Sequence, residues 1–157
     1  MVNINAGENT IYGFQGDYRF LSNFDPSPLV YGELQIKTAE HLYNALKTNS
    51  LEEALYVLAA PTPGQAKARG RSVSLKDNWE TERFNAMRTT IGVKFVGNLR
   101  LSTLLVETGD KTLIEANDWH DQVWGDCFCG EPKCEPVGLN NLGELLMELR
   151  TDLAKWI

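Results

Sequence analysis

Residues 120–150 read HDQVWGDCFCGEPKCEPVGLNNLGELLMELR. Their reading decides whether the chain is held together by staples or by its own core. Cys127, Cys129 and Cys134 crowd into one short run, with His120 upstream. Behind them Leu142, Leu145, Leu146, Leu149 and Leu153 recur at helical spacing, the stripe that a helix turns to a core. A chain of 157 residues buries enough apolar surface to fold without disulfides or metal. An odd cysteine count argues against a disulfide framework in a reducing compartment. Zinc usually takes four thiolate or imidazole ligands, often paired as C-x(2–4)-C. The C-x-C spacing here is tighter, and a fourth ligand has to be found. Free thiols on a loop are therefore the preferred reading, and no metal or cofactor is assigned. Zinc held by His120 and the three cysteines stays open as the alternative.

Working outward, helix starts are legible. Thr38 precedes AEHLYNALK. Ser50 with Glu53 has the capping-box pattern before LEEALYVLAA. Thr62, Pro63 and Gln65 open a helix that Gly70 ends. Asp77 with Glu80 opens a long helix that Gly97 closes, and Asn98 starts LRLSTLLVET, which stops at Gly109. Asn141 with Glu144 opens the last helix. Residues 11–14 and KTLIEA look extended, and LVYGELQI reads as two short strands around Tyr31-Gly32. The expected class is α+β: a single compact, helix-rich domain over residues 1–157 with a small β-sheet or hairpin.

Apolar residues make up 43% and charged residues 23%, ordinary for a water-facing globular chain. The net charge of −6 disfavours a broad nucleic-acid-coating surface, which needs clustered Lys and Arg. QAKARGRS nevertheless places Lys67, Arg69 and Arg71 together as a local basic patch, in which Arg69 and Arg71 could hold a phosphate. No apolar run reaches membrane-spanning length, and MVNINAGENT lacks the basic start and apolar block of a secretory signal. The expected location is the cytoplasm, of its own cell or of an infected host, with no membrane partner.

Candidate chemistry starts on the helix after Thr38. A helical template puts Glu40, Asn44 and Lys47 in line on one side, with Ala39, Leu42, Ala45 and Leu46 on the other. Glu40 and Lys47 would then stand two turns, roughly 10 Å, apart, suited to flanking a small ligand. A wet polar face is the competing account of the same pattern. Phe20 and Phe24 around Ser22-Asn23, Trp79 near a helix start and Trp124 beside Gly125 are aromatics placed to stack on a flat base or to lid a core. Asp121 and Asp126 flank Trp124, and a carboxylate beside an indole is a candidate acid; turn formation is the competing account. Asn140 adjoins a helix N-terminus, where anions are favoured.

Taken in order, FLSNFDPSPL, TAEHLYNALK, ARGR, KDNWETERFNAMRTTIGVKF, LLVETGDKTLIEA, DQVWGD and GLNNLGELLMELR resemble a YbiA-like, or NADAR, domain from about residue 12 to about residue 153. The cysteine-bearing segment is a departure, where many members are Gly-rich. The resemblance implies hydrolysis of a ribose C1–N bond without a metal. It implies a small-molecule nucleotide or ADP-ribosylated nucleic acid as substrate: removal of ADP-ribose from guanine, or alternatively cleavage of ribosylamino-pyrimidine phosphates of riboflavin biosynthesis. A non-catalytic ADP-ribose-binding module is a further alternative. Glu40, Lys47 and Asp121 match catalytic positions. Asn23, Phe24, Asn44, Arg69, Trp79, Trp124, Gly125 and Asn140 are the expected substrate-binding set. Glu40 and Asp121 divide proton transfer and charge stabilisation in either order. Lys47 either binds phosphate or, as a neutral amine, holds the sugar as an imine.

Overall fold

A computed structural model describes residues 7–157. The elements run β1 (Thr10–Tyr12), β2 (Leu29–Tyr31), β3 (Leu34–Ile36), α1 (Ala39–Ala45), α2 (Leu51–Leu58), α3 (Pro63–Gly70), α4 (Trp79–Val96), α5 (Leu99–Glu107), β4 (Thr112–Ile114), β5 (Ala116–Asn117), β6 (Asp126–Cys127) and α6 (Asn141–Leu153). The helix-rich α+β class expected from sequence is what forms. Two compact units are present. One is Asn23–Leu99; the other joins the chain up to Ser22 to Arg100–Ile157.

In the unit Asn23–Leu99, α1 is the centre. Thr38 caps it, accepting from the His41 backbone N–H at 3.3 Å. Every residue of Ala39–Ala45 is buried, so α1 has no wet face, and that competing account of the Glu40 pattern falls away. Helices α2, α3 and α4 all pack on it. Ala45, Val57, Ala60 and Ala66 form one apolar cluster; Leu29, Ile36 and Leu42 form another. His41 is wholly buried and serves this packing. Its Nε2 donates to the Ala60 carbonyl at 2.9 Å, and its Nδ1 meets the Thr38 hydroxyl at 2.8 Å. Burial, assisted by the charge of Lys37, holds its pKa below the ordinary histidine value. Ser50 caps α2 as expected, but Glu53 turns away from a reciprocal box and accepts from the Thr48 hydroxyl and Ser74. The long helix starts from Asn78 rather than Asp77, and Gly97 ends it in a right-handed conformation.

In the other unit, β1 and β4 pair in parallel, with Ile11 opposite Leu113. Helix α6 packs on β4, and Leu113 and Leu146 are completely buried. Among the described residues the strands form three two-stranded sheets, of which β2–β3 is the hairpin read from LVYGELQI. The close approach of α6 to β4 needs Gly143, where a Cβ would stand 2.0 Å from the Leu113 carbonyl oxygen. Arg150 closes the far end, donating to the Thr108 hydroxyl at 2.9 Å and the Lys111 carbonyl at 2.8 Å.

Replacing Leu146 with Ala should destabilise the protein by about 2–5 kcal/mol, read as a lower denaturation midpoint with the slope unchanged. Gly143→Ala should lower it as well, because the clash is with backbone and not with a yielding side chain.

Candidate functional site

The backbone N–H of Glu40, one of the unpaired donors of a helix start, donates to the Asn23 carbonyl at 3.0 Å. This ties the S-N-F segment to the carboxylate-bearing turn. Glu40 is 8% exposed, too little to keep a charge on solvation alone. One turn on, Asn44 donates through Nδ2 to both the Glu40 carbonyl at 2.8 Å and Glu40 Oε1 at 2.9 Å. The amide therefore locks the carboxylate to its own helix. Asn44 is fully buried, with its Nδ2 spent on Glu40. Its Oδ1 and the Oδ1 of Asn23 have no hydrogen-bond partner, while Asn23 Nδ2 reaches Met87 Sδ at 3.3 Å.

Lys47 departs from the helical template. Helix α1 ends at Ala45, and Lys47 lies in the turn that follows, its N–H donating to the Asn44 carbonyl at 3.3 Å. Its Nζ stands 5.5 Å from the centre of the Tyr43 ring, which tilts against Trp79 with centroids 5.7 Å apart. Trp79, the first residue of α4, is buried. Burial pushes the Lys47 pKa below the ordinary lysine value. The negative charge of Glu40 opposes that shift, and the charges of Lys67 and Arg71 add to it. The effect is a lysine inclined toward its neutral, nucleophilic form.

Sequence reading chose Arg69 from this patch. The structure turns it elsewhere: Nη1 donates to the Tyr56 carbonyl at 2.7 Å, and the guanidinium lies 4.3 Å from the Tyr56 ring centre. Residues two apart on a helix point to opposite sides, whereas Lys67 and Arg71 are four apart and share one. Those two are the cations that act on Lys47. Lys67 and Arg71 were read only as members of the basic patch, and Tyr43 was not singled out; i, i+4 spacing to Lys47 or to each other is the signal that separates these three from Arg69.

Asp121, Trp124, Gly125 and Asn140 lie in the other unit, whereas Phe24 belongs to Asn23–Leu99. Asp121 Oδ1 accepts from the backbone N–H groups of Val123 at 3.1 Å and Trp124 at 2.8 Å, fixing the turn that carries the indole. The Asn117 side chain braces the same turn, bonding both the N–H and the carbonyl of Asp121. Gly125 is required by packing: a Cβ would stand 2.1 Å from the Glu115 carbonyl oxygen. Asp126 accepts from the Gly138 N–H at 2.9 Å. Asn140 occupies a left-handed conformation, φ 52°, before α6. Both polar ends of its amide are engaged, Nδ2 on the Leu113 carbonyl and Oδ1 with the Glu115 N–H, so it clasps β4 to the helix start. Phe24 and Trp124 are half-buried.

The profile of the NADAR domain matches residues 11–154. N-glycosidase YbiA of Escherichia coli (strain K12) is 33% identical over 145 residues, covering 91% of this chain and 86% of that protein. N-glycosidase Npun_R5314 of Nostoc punctiforme is 34% identical, with 92% of each chain covered. A riboflavin biosynthesis protein of Vibrio vulnificus, VVA0006, is 31% identical over 97% of this chain, which spans 41% of that longer protein. The NMR structure of E. coli YbiA superposes with a TM-score of 0.79 at 32% identity, covering 94% of this chain and 86% of the other. With a matched profile over nearly the whole chain and relatives of this identity, the chain belongs to the NADAR domain family.

Proposed function

We propose that this protein is an N-glycosidase that hydrolyses a ribose C1–N bond, and that its substrate is ADP-ribose joined to guanine in a nucleotide or nucleic acid. One observation carries the reading: a nearly buried carboxylate, Glu40, is locked by Asn44 in the same small unit as a lysine with a lowered pKa. The names of the bacterial N-glycosidase relatives support the reaction class. Lys67 and Arg71 beside Lys47 suit a phosphorylated substrate, and the diphosphate of ADP-ribose offers them two charged groups. The name of the Vibrio relative supports the alternative substrate, a ribosylamino-pyrimidine phosphate. A module that only binds ADP-ribose would release no base from either.

The chemistry follows from the groups present. The C1–N bond breaks with positive charge growing on the sugar, which an adjacent carboxylate stabilises. Glu40 delivers a proton to the departing nitrogen and afterwards takes one from the attacking water. In the covalent variant the ribosylamine opens to an imine at C1. The neutral Nζ of Lys47 adds to that carbon, its proton passes to the departing nitrogen so that the base leaves as a neutral amine, and water hydrolyses the lysine imine to free sugar and restore the amine. Asp121 is assigned to holding the Trp124 turn, since Oδ1 is already committed to two backbone amides. A loss of orders of magnitude in an Asp121→Asn variant with intact fold would return it to the catalytic set.

Incubation with ADP-ribosylated guanosine, ADP-ribosylated DNA and a ribosylamino-pyrimidine phosphate, followed by mass spectrometry, tests the substrate. Release of ADP-ribose from the first two is expected. Glu40→Gln should lower turnover by at least about a hundredfold, the scale of a lost general acid–base; wild-type turnover in that variant would remove Glu40 from the mechanism.

The pH dependence of Lys47 gives a second test. A depressed pKa means that the neutral amine accumulates as pH rises, in a window below that of an ordinary lysine. Reactivity of Lys47 toward an amine-selective acylating reagent should therefore rise at lower pH than is ordinary for a lysine. Removing the Glu40 charge should move that rise lower still, and replacing Lys67 and Arg71 with Met should move it higher. Borohydride added during turnover should trap a sugar on Lys47, located by peptide mapping; no adduct there would leave only the direct attack of water.

A further inference from the structure

His120, Cys127, Cys129 and Cys134 offer four ligand atoms that all lie within 4.8 Å of one another. From this arrangement we propose that the protein holds one structural zinc ion between them, a site independent of the glycosidase reading. The distances fit a shared central ion. His120 Nδ1 stands 3.2 Å from Cys134 Sγ, 3.5 Å from Cys129 Sγ and 4.0 Å from Cys127 Sγ. Tetrahedral bonds of about 2.3 Å to sulfur and about 2.0 Å to nitrogen put ligand nitrogen and sulfur roughly 3.5 Å apart. The three measured distances bracket that value. None of the three sulfurs is bonded to another.

The backbone is arranged to bring the four together. His120 has φ 70°, a left-handed conformation unusual for a residue other than glycine and one that the surroundings must enforce. Gly130, φ 80°, turns the chain between Cys129 and Cys134. Gln122 spans the cluster from behind: its Oε1 accepts from the Cys127 N–H at 2.7 Å, and its Nε2 donates to the Cys134 carbonyl at 2.9 Å. One side chain thus sets the spacing of two ligand residues, as supports around metal sites do. The Glu131 N–H points at Cys129 Sγ from 3.4 Å, the contact a thiolate accepts. Cys127 and Cys134 are buried while His120 is exposed, so the site sits at the surface end of its loop. The C-x-C spacing is accommodated because β6 ends at Cys127 and the chain bends at Cys129.

Four protein ligands leave no position for water or substrate, so the ion is structural. It bridges both flanks of the Trp124-Gly125 turn. His120 precedes the turn and the cysteines follow it, so zinc and Asp121 constrain one loop from different directions.

Elemental analysis of the untagged, full-length protein, purified under reducing conditions, should find about one zinc per chain. Cobalt substitution should give the intense visible and near-ultraviolet bands of a tetrahedral thiolate site. Cys129→Ser, at the half-exposed ligand, and His120→Asn, which tolerates the left-handed backbone, should each lower zinc retention against a chelator at least about tenfold. Circular dichroism of these variants checks that the fold persists. Stripping the zinc should expose residues 120–138 to proteolysis first. Zinc far below one per chain, three thiols equally reactive with and without chelator, a disulfide in place of the metal, or full zinc retention in the folded variants would each overturn the site.

Discussion

A carboxyl group withdrawn from water needs hydrogen-bonding partners in place of its hydration. In this protein that constraint falls on Glu40, and the bond from Asn44 Nδ2 is one of the donors that meet it. The consequences spread along α1. Asn44 must be buried and must face back along its helix, so its neighbours have to be small or apolar. Ala39, Leu42 and Ala45 supply that, and Val57, Ala60 and Ala66 pack against the same region. The buried His41 ties α1 to the carbonyl that ends the α2 segment, so the helix that carries the acid is fixed at its start as well as along its length. A short helix of this kind has little intrinsic stability and is set in place by tertiary contacts on every side.

Much of the fold was legible because helix boundaries here obey local rules. Thr38, Ser50 and Thr62 each accept the N–H three residues on, and a local pattern is enough to find such a bond. The leucine stripe of α6 is equally local. What could not be read is what depends on partners distant in sequence. Strands of two or three residues carry almost no periodic signal, so the parallel pairing of β1 with β4 and of β5 with β6 was invisible. The end of α1 at Ala45 was missed for the same kind of reason, because no glycine or proline marks it.

The candidate site divides in the same way. Glu40 and Lys47 were singled out by spacing, and although the helix stops short of Lys47 the Glu40 charge still acts on it. The N-x-L-G and W-G-D motifs, read as pocket wall, have a packing basis in this chain: Asn140 and Gly143 weld α6 to β4, and Gly125 fits under the Glu115 carbonyl. Motif residues serve the backbone here at least as much as any ligand. The cysteines were read by comparison with the common zinc spacing, and that comparison looks only along the chain. His120 lies seven residues before the first cysteine, and only the left-handed bend at His120 together with the Gln122 brace turns that separation into proximity.

Gly70 links packing to chemistry most directly. A Cβ there would stand 2.2 Å from Asn44 Oδ1, so glycine is what lets α3 lie directly on the amide that locks Glu40. Read from sequence it was a helix terminator; in the fold it is the contact point between α3 and α1. Because α3 comes this close, Lys67 and Arg71 bring their charges to bear on Lys47. Interaction between charges weakens with distance, and more steeply once water enters between them. A side chain at position 70 would act on Lys47 through both routes, loosening the burial that chiefly lowers its pKa together with the cations that add to it, and disturbing the amide that orients the neighbouring carboxylate. The absence of one methyl group thus connects the depth of helix packing to the protonation state of a lysine, and the buried Oδ1 of Asn44, left without a partner, is the cost of that close fit.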